Sequence, residues 1–266
     1  MKKPTVAVYK FSSCDGCQLT ILNLEDELLE VASIVEFAHF LEARRRVLPG
    51  PYDIALVEGS VTTQREAEHI KEIRNQVKTL VAIGTCATAG GIQALRNYTT
   101  IEDLALASYE HPEFLNTLPK STPFSEHVRV DYELWGCPPN KYQLLEVIRA
   151  LVKKRRPILP SHCVCLECKR RGIACVIVAQ GIPCLGPSTR TGCGALCPSK
   201  NRGCYGCFGP ASNMDIKTVV NALLPVERYP GEIRGLFTHI SNSATPFRQA
   251  VEMLAETSNL TEGGMK

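Results

Sequence analysis

The chain has 266 residues, of which 44% are hydrophobic and 21% are charged, and its formal net charge is +3. This composition excludes a disordered protein, and no run of 18 apolar residues is present to span a membrane. The apolar run in the basic start, MKKPTVAVYKFSSC, is too short for a signal peptide, so we expect a cytoplasmic protein. In that reducing compartment, the thirteen cysteines indicate metal or cluster ligands instead of disulfides.

The first 155 residues alternate between strand and helix patterns. In chain order, hydrophobic periodicity predicts a strand at Thr5–Tyr9, a helix at Leu19–Leu29, strands at Ile34–Phe37 and Ile54–Val57, a helix at Thr62–Val77, a strand at Leu80–Ile83, a helix at Thr88–Leu95, a strand at Val128–Leu134 and a helix at Lys141–Lys153. Thr62 or Thr63 is expected to cap the second helix together with Glu66. The alternation predicts an α/β domain with a doubly wound parallel sheet.

Four cysteines of this domain follow predicted strands. Cys14 and Cys17 come after the first strand, Cys86 after Leu80–Ile83, and Cys137 after Val128–Leu134. Because sites in such sheets form outside the carboxyl ends of the strands, the four thiols are expected to meet at one edge. Four thiolates at one place are the ligand count of a [4Fe–4S] cluster or of zinc. The sequence lacks a GxGxxG after the first strand and a phosphate-binding loop, so another chain would hold any flavin or nicotinamide.

The other nine cysteines crowd into residues 163–207, after the basic run KKRRPILPSH at 153–162. Residues 151–210 carry a charge of +9 and only two aromatic residues, Tyr205 and Phe208. Without more aromatic side chains to stack on bases, this basic excess does not favour nucleic acid binding. The cations are expected to offset the negative charge of clusters or to form a solvated surface.

Eight of these cysteines resemble the ligands of a ferredoxin with two [4Fe–4S] clusters, at stretched spacings. If the fourth cysteine of each set binds the other cluster, as in such ferredoxins, two sets result. One set is Cys165, Cys168, Cys175 and Cys207, and the other is Cys184, Cys193, Cys197 and Cys204. A zinc ribbon built from the two CxxC pairs would leave five intervening cysteines unused. Cys163 is expected to be a spare thiol beside a surface histidine, His162, although His162 and Cys165 also have the spacing of a His/Cys-ligated cluster.

Four motifs in order, SSCDGCQLT (12–20), VEGSV (57–61), AIGTCA (82–87) and WGCPP (135–139), resemble the small, electron-transferring subunit of [NiFe] hydrogenases. The resemblance places the chain in the 20 kDa subunit family of NADH:ubiquinone oxidoreductase. The related quinone-reductase subunit of respiratory complex I usually carries adjacent cysteines where this chain has Cys14 and Cys17, which favours a hydrogenase. The motifs VCLEC, GIPCLGP and CYGC look most like the delta subunit of cytoplasmic NAD(P)-linked hydrogenases of the sulfhydrogenase type. Small subunits of F420-reducing or heterodisulfide-reductase-linked methanogen hydrogenases share this architecture and stay an alternative, as does a complex I-like quinone-reducing module.

The resemblance implies a flavodoxin-like domain at 1–155, a ferredoxin-like segment with two clusters at 156–210, and a helical extension at 211–266. Cys14, Cys17, Cys86 and Cys137 would hold the proximal [4Fe–4S] cluster of three. The Ni–Fe site would lie in a large subunit, and any FAD and NAD(P) in iron–sulfur or flavin diaphorase subunits. No residue of this chain is expected to be catalytic. Glu58 matches an acidic position of the family, with a role in a proton path or as a buried acid bonded to backbone N–H groups.

Residues 211–266 contain no cysteine, and their pattern predicts helices near Ile216–Leu224 and Pro246–Glu256. No residue type in this extension suggests chemistry, and we expect it to pack against the sheet or a partner. The last residues, NLTEGGMK, are expected to be frayed. A non-catalytic zinc-binding interaction protein is the competing class, and metal analysis separates it from an iron–sulfur protein.

Overall fold

The computed structural model describes residues 3–229 and 231–262; of the predicted frayed end, residues 263–266 lie outside this range. The chain divides into two compact units, Met1–Leu159 and Pro160–Lys266. Residues 156–159 therefore belong to the first unit, and the predicted extension falls in the same unit as the cysteine-rich residues. Within the described ranges, no helix has both the length and the apolar character needed to cross a membrane.

The first unit is built on a parallel sheet of five strands. The strands are β1 (Thr5–Lys10), β2 (Glu36–Phe40), β3 (Tyr52–Glu58), β4 (Val77–Ile83) and β5 (Tyr132–Leu134). They lie in the order β2-β1-β3-β4-β5, and each neighbouring pair is parallel. This is the flavodoxin-like strand order, in which the direction of winding reverses between β1 and β3. The predicted α/β fold class is confirmed.

Six α-helices accompany this sheet: α1 (Gly16–Leu22), α2 (Asp26–Ile34), α3 (Gln64–Asn75), α4 (Gly84–Ala89), α5 (Ile101–Ser108) and α6 (Lys141–Val152). Short 3-10 helices occur at Ile92–Tyr98, Pro112–Phe114 and Phe124–Glu126. Helix α3 begins with the expected capping box, in which the Thr63 hydroxyl accepts from the Glu66 N–H and the Glu66 carboxylate accepts from the Thr63 N–H.

Four predicted elements of this unit were wrong in extent. The helix predicted at Leu19–Leu29 is two helices, because the chain turns at 23–25, where Glu25 has a φ of 55°. Ile34 ends the second of these helices and does not begin a strand. The helix predicted at Thr88–Leu95 stops at Ala89, since Gly90 and Gly91 adopt left-handed φ values of 74° and 65°. The strand predicted at Val128–Leu134 is reduced to β5.

Both faces of the sheet are buried, as its continuous apolar strands require. Val6 and Val8 of β1 face the side covered by α1, α2 and α6, whereas Ala7 and Tyr9 face the side covered by α3. The same alternation continues through β3 and β4. Burial on both sides fixes the register of each strand, so that the loops at the carboxyl edge are held on a rigid platform.

The second unit contains α7 (Val164–Arg170), α8 (Val176–Gln180), α9 (Ile216–Leu223), α10 (Glu232–Phe237) and α11 (Thr245–Glu262), with 3-10 helices at Pro198–Lys200 and Leu224–Val226. Helices α9 and α11 coincide with the two helices predicted for the extension. Phe237 of α10 and Phe247 of α11 are fully buried, and their rings meet edge to face with centroids 5.5 Å apart. Helices α9 and α10 both pack on α11.

Candidate metal centres

The four cysteines of the first unit lie on three loops at the carboxyl edge of the sheet. Cys14 lies in the loop after β1, and Cys17 lies in the first turn of α1. Cys86 lies on α4, directly after β4, and Cys137 follows β5. The Thr85 N–H donates to the Gly136 carbonyl at 2.9 Å, which joins the loops that carry Cys86 and Cys137. The site thus forms beside the β1–β3 switch point, where open parallel sheets bind ligands.

Electrostatic contacts connect all four thiols. Burial is the main cause that raises the pKa of Cys17, and the charges of Glu58, Cys86 and Cys137 raise it further. Burial and then the charge of Cys137 raise the pKa of Cys86 to about 11, and Cys14 adds to this effect. The pKa of Cys137 is raised by burial and by Cys14. Cys17 is buried and Cys86 is partly buried, whereas Cys14 and Cys137 are exposed. The four thiols ionise when positively charged metal is bound, because a coordinating thiol gives up its proton.

Two glycines let the backbone approach these sulfurs. A Cβ atom on Gly84 would overlap the Cys17 Sγ, and a Cβ atom on Gly91 would overlap the Cys86 Sγ. Both glycines also have positive φ values, 84° and 65°, which other residues adopt only with strain. Side chains at these two positions are therefore excluded by the space that the cysteines occupy.

Glu58 is fully buried at the end of β3 and accepts hydrogen bonds from three residues, with the Cys17 side chain bonded to it as well as the Cys17 N–H. The donors are the Cys17 N–H at 3.1 Å, the Gln18 Nε2 at 2.9 Å and the Ser13 Oγ at 3.2 Å. Burial raises the pKa of Glu58, whereas the hydrogen bonds from Gln18, Cys17 and Ser13 act in the opposite direction. One carboxylate thus holds residues on both sides of Cys14. Glu58 is a buried acid as expected, but side chains as well as a backbone N–H donate to it.

Gln93, in the 3-10 helix after α4, is a residue of this site that the sequence analysis missed. Its Nε2 donates to the Ser12 carbonyl at 2.6 Å, and the Cys86 thiol donates to its Oε1 at 3.3 Å. It therefore connects the loop after β1 with the Cys86 ligand position. No spacing rule identifies it, since Gln93 follows the paired glycines and carries no ligand atom of its own for iron.

In the second unit, the eight predicted cysteines are also linked by charge contacts. Cys165 and Cys168 lie on α7, Cys175 directly precedes α8, and the other five lie in the loops that follow. The pKa of Cys168 is raised by burial and then by Cys184, Cys175 and Cys193. Burial is again the main cause for Cys184, with contributions from Cys175 and Cys197, and for Cys204, with contributions from Cys184 and Cys207.

These contacts run both within and between the two expected sets of cysteines. Cys184 interacts with Cys165, Cys168 and Cys175, which the partition had placed in the other set. Cys207 interacts with Cys204, from which the partition had separated it. Cys184 also interacts with Cys197 and Cys204, and Cys168 interacts with Cys193, so the expected partition stays a prediction.

Hydrogen bonds to sulfur support cluster ligation in this unit. The Cys184 Sγ accepts from the Cys204 N–H at 3.1 Å and from the Gly186 N–H at 3.4 Å. The Gly206 N–H and the Thr189 side chain hydrogen-bond to the thiol of Cys204, and both bonds lower its pKa. Bonds of this kind stabilise thiolates and tune the potential of an iron–sulfur cluster.

Cys163 has a neighbour that the sequence analysis did not anticipate. Burial and then the charge of Cys163 raise the pKa of Cys165 to about 12, and the two side chains are hydrogen-bonded. Cys163 is therefore in contact with a predicted ligand, although it stands outside the set of eight. Its expected role as a dispensable thiol stays a prediction.

The donor sets fit [4Fe–4S] clusters. Among the residues that the structure describes, no group of three or more His, Cys, Asp or Glu side chains is placed to hold a single metal ion. A [4Fe–4S] cluster does not need that convergence, because each of its four cysteines binds a different iron. Four interacting thiols in the first unit and eight in the second, with N–H bonds to sulfur in the second unit, supply what three such clusters require.

The fold and these sites define an α/β protein whose cysteines fit iron–sulfur clusters, and comparison with known proteins gives its family. Residues 14–151 match the model of the family described as NADH ubiquinone oxidoreductase, 20 Kd subunit. The chain is 35% identical over 232 residues to Sulfhydrogenase 2 subunit delta of Pyrococcus furiosus, which covers 86% of this chain and 97% of that protein. It is 33% identical over 233 residues to a subunit of the F420-non-reducing hydrogenase of Methanocaldococcus jannaschii, covering 77% and 81%.

Among solved structures, the crystal structure of an NAD+-reducing [NiFe]-hydrogenase in the H2-reduced state contains a similar chain. The TM-score is 0.56 at 31% identity, and the match covers 60% of this chain and 96% of the other. The chain belongs to the 20 kDa subunit family of NADH:ubiquinone oxidoreductase. The resemblance to hydrogenase small subunits that the sequence motifs indicated is confirmed.

Proposed function

We propose that this chain is the electron-transferring small subunit of a [NiFe] hydrogenase. When bound, three [4Fe–4S] clusters would accept and donate single electrons between the Ni–Fe site of a large subunit and an acceptor-reducing partner. The observation that carries the proposal is the four-cysteine site at the β1–β3 switch point, with Cys14, Cys17, Cys86 and Cys137 on three joined loops.

The residues of the chain hold and shield the clusters, and none needs to act as an acid, base or nucleophile. Cys14, Cys17, Cys86 and Cys137 hold the proximal cluster, and Glu58 and Gln93 position the loops that carry these ligands. In the second unit, Cys165, Cys168, Cys175, Cys184, Cys193, Cys197, Cys204 and Cys207 hold the other two clusters. Buried backbone N–H groups orient the sulfurs of Cys184 and Cys204.

The relatives support an NAD(P)-linked enzyme in which a diaphorase partner takes the electrons. The sulfhydrogenase delta subunit covers more of this chain than the methanogen relative does, and the similar solved structure is NAD+-reducing. A methanogen-type hydrogenase is the second candidate, favoured by the 33% identity to an F420-non-reducing hydrogenase. The thirteen free cysteines and the NAD(P) linkage support a cytoplasmic location.

Metal analysis of the purified complex tests the clusters. We expect ~12 irons and ~12 acid-labile sulfides from each copy of this chain, measured above the contribution of the partners. Two or three zinc ions without sulfide would overturn the proposal in favour of a zinc protein. The acceptor is tested separately, by H2-driven reduction of NAD+, NADP+ and coenzyme F420 by the same preparation. H2-driven reduction of a dye or of F420 without reduction of NAD+ or NADP+ would overturn the NAD(P) linkage but not the electron-transfer role.

A further inference from the structure

One exposed surface of the second unit combines positive charge with a predicted cluster ligand. We name it the basic face, and it comprises residues 169–175, α8 and residues 194–202. The Arg171 guanidinium donates to the Gly194 carbonyl, and Gln180 Nε2 donates to Asn201 Oδ1 at 3.3 Å. The Ile173 N–H donates to the Cys168 carbonyl at 2.9 Å. These bonds make the end of α7, helix α8 and the loop around residue 197 one continuous surface.

The charge of this surface is positive throughout. Its exposed cations are Lys169, Arg170, Arg171, Lys200 and Arg202. Glu167 is the single acidic residue of the sequence between positions 160 and 210, and its carboxylate accepts from the Ala195 N–H at 3.0 Å. That carboxylate therefore faces inward to the backbone of residues 194–202.

Apolar side chains lie among these cations. Val178 on α8 is 86% exposed and Leu196 is 59% exposed, and Cys175 beside α8 is exposed as well. Compensation of cluster charge accounts for a cation such as Arg202, whose charge lowers the pKa of Cys197 against the effect of burial. It does not account for exposed valine and leucine. Apolar contacts surrounded by a charged rim are instead the composition of a protein interface.

We propose that the basic face docks an acidic protein that carries single electrons, next to the ligand Cys175. The proposal rests on the proposed function, because Cys175 matters for electron transfer only if it binds a cluster. Oxidation of one H2 to two protons at the large subunit releases two electrons, which reduce two one-electron centres of the carrier. Opposite charges steer such short-lived encounters, and an interface below ~1,200 Å² is sufficient for them.

The test uses the whole hydrogenase complex and an acidic ferredoxin with two [4Fe–4S] clusters as the acceptor. The double variant Lys169→Glu/Arg170→Glu reverses charge on the face and leaves Arg171 and Arg202, which make internal contacts, in place. The control Arg234→Glu/Arg248→Glu makes the same change in charge at exposed positions of α10 and α11. H2-driven reduction is measured against ferredoxin concentration at low and high salt, together with iron content and H2/D2 exchange.

We expect kcat/KM for ferredoxin to fall about tenfold or more in the double variant at low salt, and the difference to shrink at high salt. Iron content and exchange should equal those of the control. An equal loss in both variants, no loss in either, or a wild-type complex that does not reduce ferredoxin would overturn the docking proposal. None of these results contradicts the electron-transfer role of the chain. That role would be refuted by absent clusters or by failure of the complex to reduce any acceptor.

Discussion

The role of Glu58 gives the sharpest test of the proximal site. Glu58→Ala removes an acceptor from donors on three residues, and the Cys17 N–H and the Gln18 side chain are buried donors among them. Each buried donor left without a partner costs about 1–3 kcal/mol, so a central value for the two is about 4 kcal/mol. For a unit of this size, that loss lowers the melting temperature by about 8–16 °C. We also expect a partial loss of proximal iron, because Cys17 is no longer held in place.

Glu58→Gln separates this positioning role from proton transfer. The amide oxygen of the new glutamine can keep the bond from the Cys17 N–H. Its NH2 group then needs acceptors, which the Gln18 side chain provides by flipping its amide and Ser13 provides by rotating its hydroxyl. The loss should therefore be only about 1 kcal/mol, since a charged acceptor becomes a neutral one. A glutamine cannot carry a proton along a path as a carboxyl group does. The two roles thus predict different results for one variant.

The assay compares wild type, both Glu58 variants and the exposed control Glu72→Gln in the assembled complex. Iron content and the melting temperature report on positioning, and exchange of H2 with D2O reports on proton transfer. Positioning predicts that Glu58→Gln keeps iron and exchange, whereas Glu58→Ala loses stability and iron. Full iron with exchange reduced at least tenfold in Glu58→Gln would establish a proton path. Wild-type melting and iron in Glu58→Ala would refute the hydrogen-bond reasoning.

Three further predictions concern other positions. Cys137→Ala removes a ligand of the proximal cluster, so H2-driven dye reduction should collapse while H2/D2 exchange at the large subunit survives in part. Cys163→Ser should keep ~12 irons per chain, whereas Cys165→Ser should lose about 4, as measured by iron and sulfide analysis. Ser241→Ala removes the buried hydroxyl that donates to the Gly206 carbonyl at 2.7 Å. That carbonyl would be left without its donor, at a cost of about 1–3 kcal/mol, detected as earlier thermal loss of cluster absorbance.

Each of these variants has its own contradicting result. Full dye reduction by an assembled Cys137→Ala complex would refute electron transfer through the proximal cluster. Iron loss in Cys163→Ser but not in Cys165→Ser would mean that Cys163 is the ligand. The control for Ser241→Ala is Ser243→Ala, which removes a partly buried hydroxyl bonded to Asn242. If both serine variants melt alike, the bond to Gly206 adds nothing to stability.

The sheet could be predicted from the sequence because buried parallel strands leave a strong signal. Thr5–Tyr9 and Ile54–Val57 are short apolar runs that need two covered faces, and the structure provides both. Helix limits were harder to predict where backbone conformation decides them. The turn at Glu25 has a positive φ without a glycine, and no propensity rule anticipates it.

The ligand positions could be predicted because a cysteine after a strand has a fixed place in a parallel sheet. Glu58 was found through its motif, but its three donors depend on how the loop after β1 folds back over β3. Gln93 could not be predicted, because both of its partners depend on the fold. Ser12 is distant from it in sequence, and Cys86 is separated from it by the turn at Gly90 and Gly91. The partition of the second eight cysteines stays a prediction. Cys184 interacts with the three cysteines that precede it and also with Cys197 and Cys204, so it has neighbours in both sets.

The C-terminal helices illustrate how residues without ligand chemistry still bear on a cluster. Gly206 lies between Cys204 and Cys207, with a φ of 76°, and a Cβ atom there would meet the Phe247 ring and Leu185 at 3.1 Å. The Ser241 hydroxyl holds the Gly206 carbonyl from the same side. Because both Ser241 and Phe247 are buried, they also cover the backbone between the two cysteines. Water that reaches a cluster changes its potential, so a helix packed on this loop contributes to electron transfer through position alone.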